Sequence, residues 1–274
     1  MNLSSEMTKI IDKILGVNGK IIKVKFDVDC KGFEAYVQDD QCFGAIKDIL
    51  LNREYEYLPE FELKNFRNKR VVDAGAHVGF FSLVASRFAR EVIAIEPHPI
   101  NYELLKLNLV NNKVHNVLTI NKALWHETSK IEIHEGCHSG GGSVFEETPY
   151  SYNVHTITLE DVINENGDID LLKIDIEGAE FKVLEKFGDT RYLVSEIHLK
   201  RGDISTITKT LTNRGFSVRI FNPPLAKRKK HSYDIVLHNF LRLKAIRDFV
   251  DLGAFLIKKV NKDLALLFAN NTIM

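Results

Sequence analysis

Residues 71–82, VVDAGAHVGFFS, constrain this chain more than any other stretch. Two valines lead into an acid, two glycines follow four residues apart, and an apolar pattern of helical period comes next. β-branched residues favour the extended chain, and glycine permits turns closed to other residues. The segment therefore reads as a strand that turns sharply into a helix. From here the rhythm is regular. Strands are expected at RVVDA (70–74), EVIAIEP (91–97), VLTINKAL (117–124), LLKIDIEG (171–178) and YLVSEIH (192–198), with helices at 79–89, 99–112, 179–187 and 204–215 between them. Strands alternating with helices imply a parallel sheet covered on both faces. FSVRIF (216–221) and YDIVLHNF (233–240) are joined by only a short loop, NPPLAKRKKHS, so they are expected to be antiparallel.

Five parallel strands with a closing antiparallel pair is the layout of a class I methyltransferase, a Rossmann-like α/β fold. The expectation is a seven-stranded, mostly parallel sheet with one antiparallel strand. A small N-terminal extension (1–62) precedes a catalytic domain at 63–240, and a helical tail (241–274) follows. The extension reads as a helix at 1–16, a hairpin from KIIKVKFDV and FEAYVQ, and a helix over 43–58. In the tail, Ile246, Phe249, Val250, Leu256, Ile257 and Val260 recur at helical spacing. That face is expected to pack on the catalytic domain or to make a homodimer. KIEIHE (130–135) begins a detour whose SGGGS suits a mobile lid.

Charge narrows the partners. Lys plus Arg and Asp plus Glu balance at 37 each, so no global field draws the chain to nucleic acid or membrane. Cys30, Cys42 and Cys137 are odd in number and lack metal spacing, which suits a reducing compartment. Glu6 and Asp12 interrupt the first apolar pattern, and no uncharged apolar run is long enough to span a bilayer. A cytoplasmic location without a transmembrane segment is expected.

The turn also discriminates among nucleotides. A phosphate loop needs GxxxxGK[ST], and the residues after Gly75 contain no lysine. A dinucleotide fingerprint needs GxGxxG, whereas His77 stands where the backbone would approach a pyrophosphate. S-adenosylmethionine carries no phosphate and tolerates a side chain there. Glu96, about 20 residues after the turn, is placed to take both ribose hydroxyls. Asp73, Gly75 and Glu96 together favour an adenosyl ligand without phosphates.

VVDAGAHVGFFSLVAS, AIEPHPINYELLKLNL, INKAL and LLKIDIEGAEFKVLEKF resemble the FkbM-type methyltransferases over roughly residues 50–200, and REYEYL ahead of the first strand is similar too. Members usually have Asn where this chain has His77. The resemblance implies an S-adenosylmethionine-dependent methyltransferase that acts on oxygen, often on sugar hydroxyls or secondary metabolites. It implies cofactor contacts from Asp73, Gly75, His77, Gly79, Glu96, Asn121, Ala123 and Asp175.

Methyl transfer to a hydroxyl needs alignment first and a general base second. Asp175 ends the fourth parallel strand, with Glu177 just beyond and Glu180 opening the next helix, where an acid also serves as a cap. Asp175 can hold the methionine ammonium or orient the acceptor. His198, near the end of the next strand beside Glu196, is the first candidate for the base, since histidine titrates near neutrality. Asp175, Glu177 and His198 form the catalytic set. Three carboxylates there could hold a divalent cation, but no spaced ligand set stands out, and His134, Cys137 and His138 in one loop read as bystanders. Lys200, Arg201 and the run Lys227 to Lys230 suggest an anionic group on the small-molecule or glycan acceptor. NPPL (222–225) resembles the amine-binding motif of nucleic-acid methyltransferases but follows the wrong strand. A tRNA guanine methyltransferase and a non-catalytic binder with a vestigial pocket are the competing readings.

Overall fold

The computed structural model describes residues 21–28, 31–38, 45–134, 144, 150–186, 188–221 and 264–271. Twelve strands are present among them: β1 (Ile21–Val28), β2 (Lys31–Gln38), β3 (Arg70–Ala74), β4 (Glu91–Ile95), β5 (Val117–Ile120), β6 (Ala123–Leu124), β7 (Lys130–His134), β8 (Ser151–Ile157), β9 (Ile169–Ile174), β10 (Thr190–His198), β11 (Phe216–Phe221) and β12 (Leu264–Asn271). The helices are α1 (Phe80–Ser86), α2 (Pro99–Asn111), α3 (Leu159–Asn166), α4 (Glu180–Glu185) and α5 (Ile204–Asn213).

Seven strands form the central sheet in the order β11-β12-β10-β9-β3-β4-β5. Every pair from β10 to β5 is parallel, and β12 runs antiparallel to both β10 and β11. This is the class I methyltransferase sheet. The order reverses between β3 and β9, because β3 leads outward to β4 and β9 leads the other way to β10. Ligands in open α/β sheets sit at the carboxyl ends of the strands at such a point.

Two apolar clusters cover the two faces. One joins the hairpin, α1 and α2 to residues such as Val71 and Phe268; the other joins α3, α4 and α5 to Val72, Leu172 and Leu267. Alternate residues of β12 divide between them: Leu266 and Phe268 in the first, Ala265, Leu267 and Ala269 in the second. All five are buried.

This strand corrects the sequence reading in two ways. Of the helical tail expected over 241–274, residues 264–271 are a sheet strand. The antiparallel place expected for 233–240 is filled by that same strand. A strand buried on both faces has no polar alternation, so periodicity could not separate it from a helix. Residues 1–16, 135–143, 222–240 and 246–260, and with them the N-terminal helix, Cys137, His138, the glycine lid, NPPL, Lys227 to Lys230 and the dimer face, lie outside the described residues.

The hairpin of β1 and β2 is present, antiparallel and in continuous register. Its outer edge is closed by side-chain amides of α2 and of Asn112, the residue that caps that helix's C-terminus. Asn108 accepts from the Tyr36 N–H (2.6 Å) and donates to the Tyr36 carbonyl (3.0 Å), and Asn112 does the same for Glu34 (2.8 and 2.7 Å). Asn108 also donates to the Val78 carbonyl at 2.8 Å, which fastens the glycine turn to the hairpin. Unpaired strand edges are thereby satisfied without another strand.

The helix expected over 43–58 is broken. A wide π-type turn (Ile46–Leu51) gives way to 3-10 turns at Glu54–Glu56, Pro59–Phe61 and Leu63–Phe66, with Arg53 left-handed at φ 48°. The detour forms a side sheet in the order β6-β8-β7. Among the described residues no helix is long and apolar enough to cross a membrane.

Candidate active site

The turn after β3 is dictated by crowding. The N–H groups of Gly75 and Ala76 both donate to the Ile95 carbonyl at 3.0 Å, and the Asp175 N–H donates to the Ala74 carbonyl at 3.1 Å. These bonds draw the ends of β3, β4 and β9 together. Gly75 has φ 75°, and a Cβ there would lie 1.7 Å from the Asp175 carbonyl oxygen. Only glycine fits. Two residues on, His77 is also left-handed at φ 53°. His is among the non-glycine residues enriched there. Burial lowers the His77 pKa to about 4, against an upward pull from Asp175, so the imidazole is neutral. Gly79, at φ 92°, starts α1 against Leu105.

Glu96 follows β4 and is 5 % exposed. The His77 N–H donates to its Oε2 (2.7 Å) and the His98 N–H to its Oε1 (2.9 Å). Each oxygen keeps a lone pair for a ligand. Burial raises the Glu96 pKa to about 7, more than the two backbone bonds lower it. Asn121 steadies the segment by donating from its amide to the Glu96 and Pro97 carbonyls at 2.9 and 3.1 Å. His98 caps α2 through Nδ1 and meets the Tyr152 ring edge-on at 5.0 Å, so β8 closes this side. Ala123 is buried on β6, paired with Thr156 of the side sheet.

Asp73 departs from expectation. It has no exposed surface; its Oδ2 accepts from the Ser82 hydroxyl at 2.6 Å and its Oδ1 pairs with Lys173 Nζ at 3.1 Å. Its carboxylate is held beneath the turn by these two partners, so it supports the turn from below. Lys173 is its direct neighbour across the β3–β9 ladder. The same ammonium donates to the Gly75 carbonyl at 2.9 Å and lies 3.9 Å from Asp175 Oδ2. Burial pulls the Lys173 pKa down, but Asp73 and Asp175 pull it up harder, and the net direction is upward. A lysine inside the apolar run LLKID was the available signal, since buried lysines are almost always paired.

Beyond β9, Asp175, Glu177 and His198 do come together. Glu177 is left-handed at φ 55° and Gly178 at φ 102°. Glu180 Oε1 accepts from the Ile176 and Gly178 N–H groups at 3.1 and 3.0 Å, so it ties down the turn that precedes α4, and no side chain caps the helix itself. His198 bridges the turn, with Nε2 3.2 Å from Glu177 Oε2 and Nδ1 3.2 Å from Glu180 Oε1. Burial works against its charge, yet the two carboxylates raise its pKa to about 11. His198 is therefore an imidazolium with no lone pair to offer. The general-base role expected of it does not fit, because a histidine between two acids keeps its proton. Of the two carboxylates left in the set, Glu177 is tied to His198, and Asp175 is the better placed candidate. It accepts from the Tyr55 hydroxyl through Oδ2 at 2.8 Å, an interaction with a residue 120 positions earlier that no local pattern reveals. Burial raises the Glu177 pKa, and burial with Asp175 and Glu54 raises Glu196 well above its ordinary value. Carboxylates outnumber cations here, which suits a cationic ligand. Among the described residues no three His, Cys, Asp or Glu side chains are grouped to hold a metal.

The sequence matches known proteins over the same region. It is 24% identical over 222 residues to "Methyltransferase 1" of Beauveria bassiana, covering 69% of this chain and 87% of that protein. It is 28% identical over 193 residues to "Methyltransferase sdnD" of Sordaria araneosa, covering 55% and 74%. Among solved structures, the methyltransferase FkbM of Methylobacillus flagellatus is similar at 19% identity and a TM-score of 0.38, over 62% of this chain and 43% of that one. TYW2 of M. jannaschii, solved in complex with AdoMet, matches at 12% identity and a TM-score of 0.40, over 93% and 89%. The profile of the methyltransferase FkbM domain matches residues 73–218, more than half of the chain, and the chain therefore belongs to that methyltransferase family.

Proposed function

We propose that this protein is an S-adenosylmethionine-dependent O-methyltransferase acting on a hydroxyl of a sugar, glycan or small metabolite. The observation that carries the reading is the pair of carboxylates flanking the Gly75 turn: Glu96 on the β4 side and Asp175 on the β9 side. Glu96, with both oxygens oriented by backbone N–H groups, suits a vicinal diol such as a ribose. The turn has no lysine and a side chain at position 77, so it suits an adenosyl group without phosphates. The surplus of acid near Asp175 and Glu196 suits a sulfonium and an ammonium.

When bound, the cofactor supplies an electrophilic methyl group. The protein's part is to orient the acceptor and to take the hydroxyl proton, and Asp175 is the side chain free to accept it. Lys173 holds the Gly75 carbonyl and the His198 bridge holds the Glu177 turn, so the two sides of the crevice keep a fixed separation.

The test has two arms. Calorimetry with S-adenosylhomocysteine should show binding that Glu96→Ala weakens. Labelled S-adenosylmethionine, offered with free sugars, lipid-linked glycans, hydroxylated metabolites and tRNA, should label a hydroxyl in a reaction that Asp175→Asn abolishes. No binding, or label on tRNA guanine alone, overturns the reading.

A further inference from the structure

Asp175 is gripped through one oxygen. Oδ2 accepts from the Tyr55 hydroxyl at 2.8 Å and faces Lys173 Nζ at 3.9 Å. Oδ1 accepts no hydrogen bond among the described residues, and the side chain is 27 % exposed. The hydroxyl that does the gripping is itself fixed. Arg53 donates to Glu56 from Nε (3.0 Å) and Nη2 (2.5 Å), and Glu56 Oε2 also accepts from the Leu63 N–H at 2.8 Å. This buried fork sets the 3-10 turn that carries Tyr55. The Tyr55 ring packs edge-on against Phe81 at 5.7 Å, and Lys173 Nζ lies 5.2 Å from its centre. Burial first, then Asp175, Glu196 and Glu54, push the phenol well above its ordinary pKa, so it remains a donor.

We propose that Tyr55 is a positioning residue for methyl transfer: together with Lys173 it anchors Oδ2 of Asp175, so that Oδ1 is presented to the acceptor hydroxyl. Tyr55 lies ahead of the first sheet strand and outside the matched residues 73–218, so the N-terminal segment completes the site. The inference rests on Asp175 being the group that takes the proton. Misplacing such a group by even 1 Å lowers turnover by about 100-fold.

Tyr55→Phe keeps the ring and removes the anchor. Wild type, Tyr55→Phe and Asp175→Asn are compared with labelled S-adenosylmethionine and the acceptor most active in the panel above, and S-adenosylhomocysteine affinity is measured for each. Tyr55→Phe should lower kcat by about 10–100-fold while the acceptor KM and the S-adenosylhomocysteine affinity stay within about twofold. A crystal structure of the variant should show the Asp175 carboxylate rotated. A wild-type kcat in Tyr55→Phe, with Asp175→Asn inactive, overturns the anchor and leaves the proposed function standing. Parallel losses of kcat and nucleoside affinity make Tyr55 merely structural and also overturn it. Full activity in Asp175→Asn removes the base assignment on which the anchor depends.

Discussion

At the scale of single residues, backbone geometry decides which acids can act. Asp73, Glu96 and Asp175 all end or follow parallel strands, yet Asp73 is wholly buried beneath the turn while Glu96 and Asp175 keep some exposed surface. Asp73 spends its oxygens on Ser82 and Lys173. Charge-assisted bonds from a carboxylate to two hydroxyls are worth about 1.5–3 kcal/mol, so Glu96→Ala should weaken nucleoside binding by that amount in calorimetry. The pH dependence has a definite sign. Glu96 carries a proton below about 7, and that proton must leave before the carboxylate can accept two hydroxyl bonds. Affinity for S-adenosylhomocysteine should therefore rise with pH and level off above 7, approaching tenfold per unit well below it. A flat profile between pH 5 and 8 would remove Glu96 from the ribose contact. Gly75→Val should abolish binding, since its Cβ would meet the Asp175 carbonyl at 1.7 Å; a variant that binds normally would place the pocket elsewhere.

At the scale of elements, the turn after β9 is held by neighbours more than by itself. Two consecutive left-handed residues, Glu177 and Gly178, are stabilised by the Glu180 carboxylate, which accepts from the turn's N–H groups, and by His198 reaching over from β10. The stabilisation from His198 depends on its charge. Its pKa is about 11 when folded and 6.5 ordinarily, so the folded state holds the proton more tightly. That contribution is fully present below about 6.5 and declines as pH rises towards 11. The difference in thermal midpoint between wild type and His198→Gln should accordingly be largest at acid to neutral pH and shrink steadily above it. A difference that grows with pH would contradict the imidazolium assignment. For turnover, Asp175→Asn should lose far more than Glu180→Gln. Equal losses, together with sensitivity to chelators, would point to a metal shared by the two.

At the scale of the whole molecule, segments distant in sequence close the structure. The hairpin of β1 and β2 is fastened to the glycine turn through Asn108, the 3-10 turn at Glu54–Glu56 supplies Tyr55, and β12 returns from the end of the chain to part β10 from β11. Phe268 of β12 is fully buried and meets Phe61 edge-on at 5.0 Å. Truncating a buried phenylalanine typically removes about 3–5 kcal/mol, a large share of the stability of a protein this size. Phe268→Ala should lower the urea midpoint by a matching amount, although the residue lies far from the crevice in sequence. An unchanged midpoint would mean that β12 is not integral to the sheet.

The alternation of strand and helix from residue 70, the Gly75 turn, the acid at Glu96 and the carboxylates after β9 are all legible in the order of the amino acids. Each is local: a period, a steric requirement for glycine, or a position at a strand end, and local rules act on neighbouring residues alone. The tertiary structure decided what depends on long-range pairing. It turned Asp73 and Lys173 into a buried ion pair, because β3 and β9 lie side by side. It made His198 a cation by setting it between two acids from the preceding strand's turn and helix. It brought Tyr55 to Asp175, and it recruited residues 264–271 as a strand because only a sheet with both faces covered can bury Leu266 and Leu267 on opposite sides.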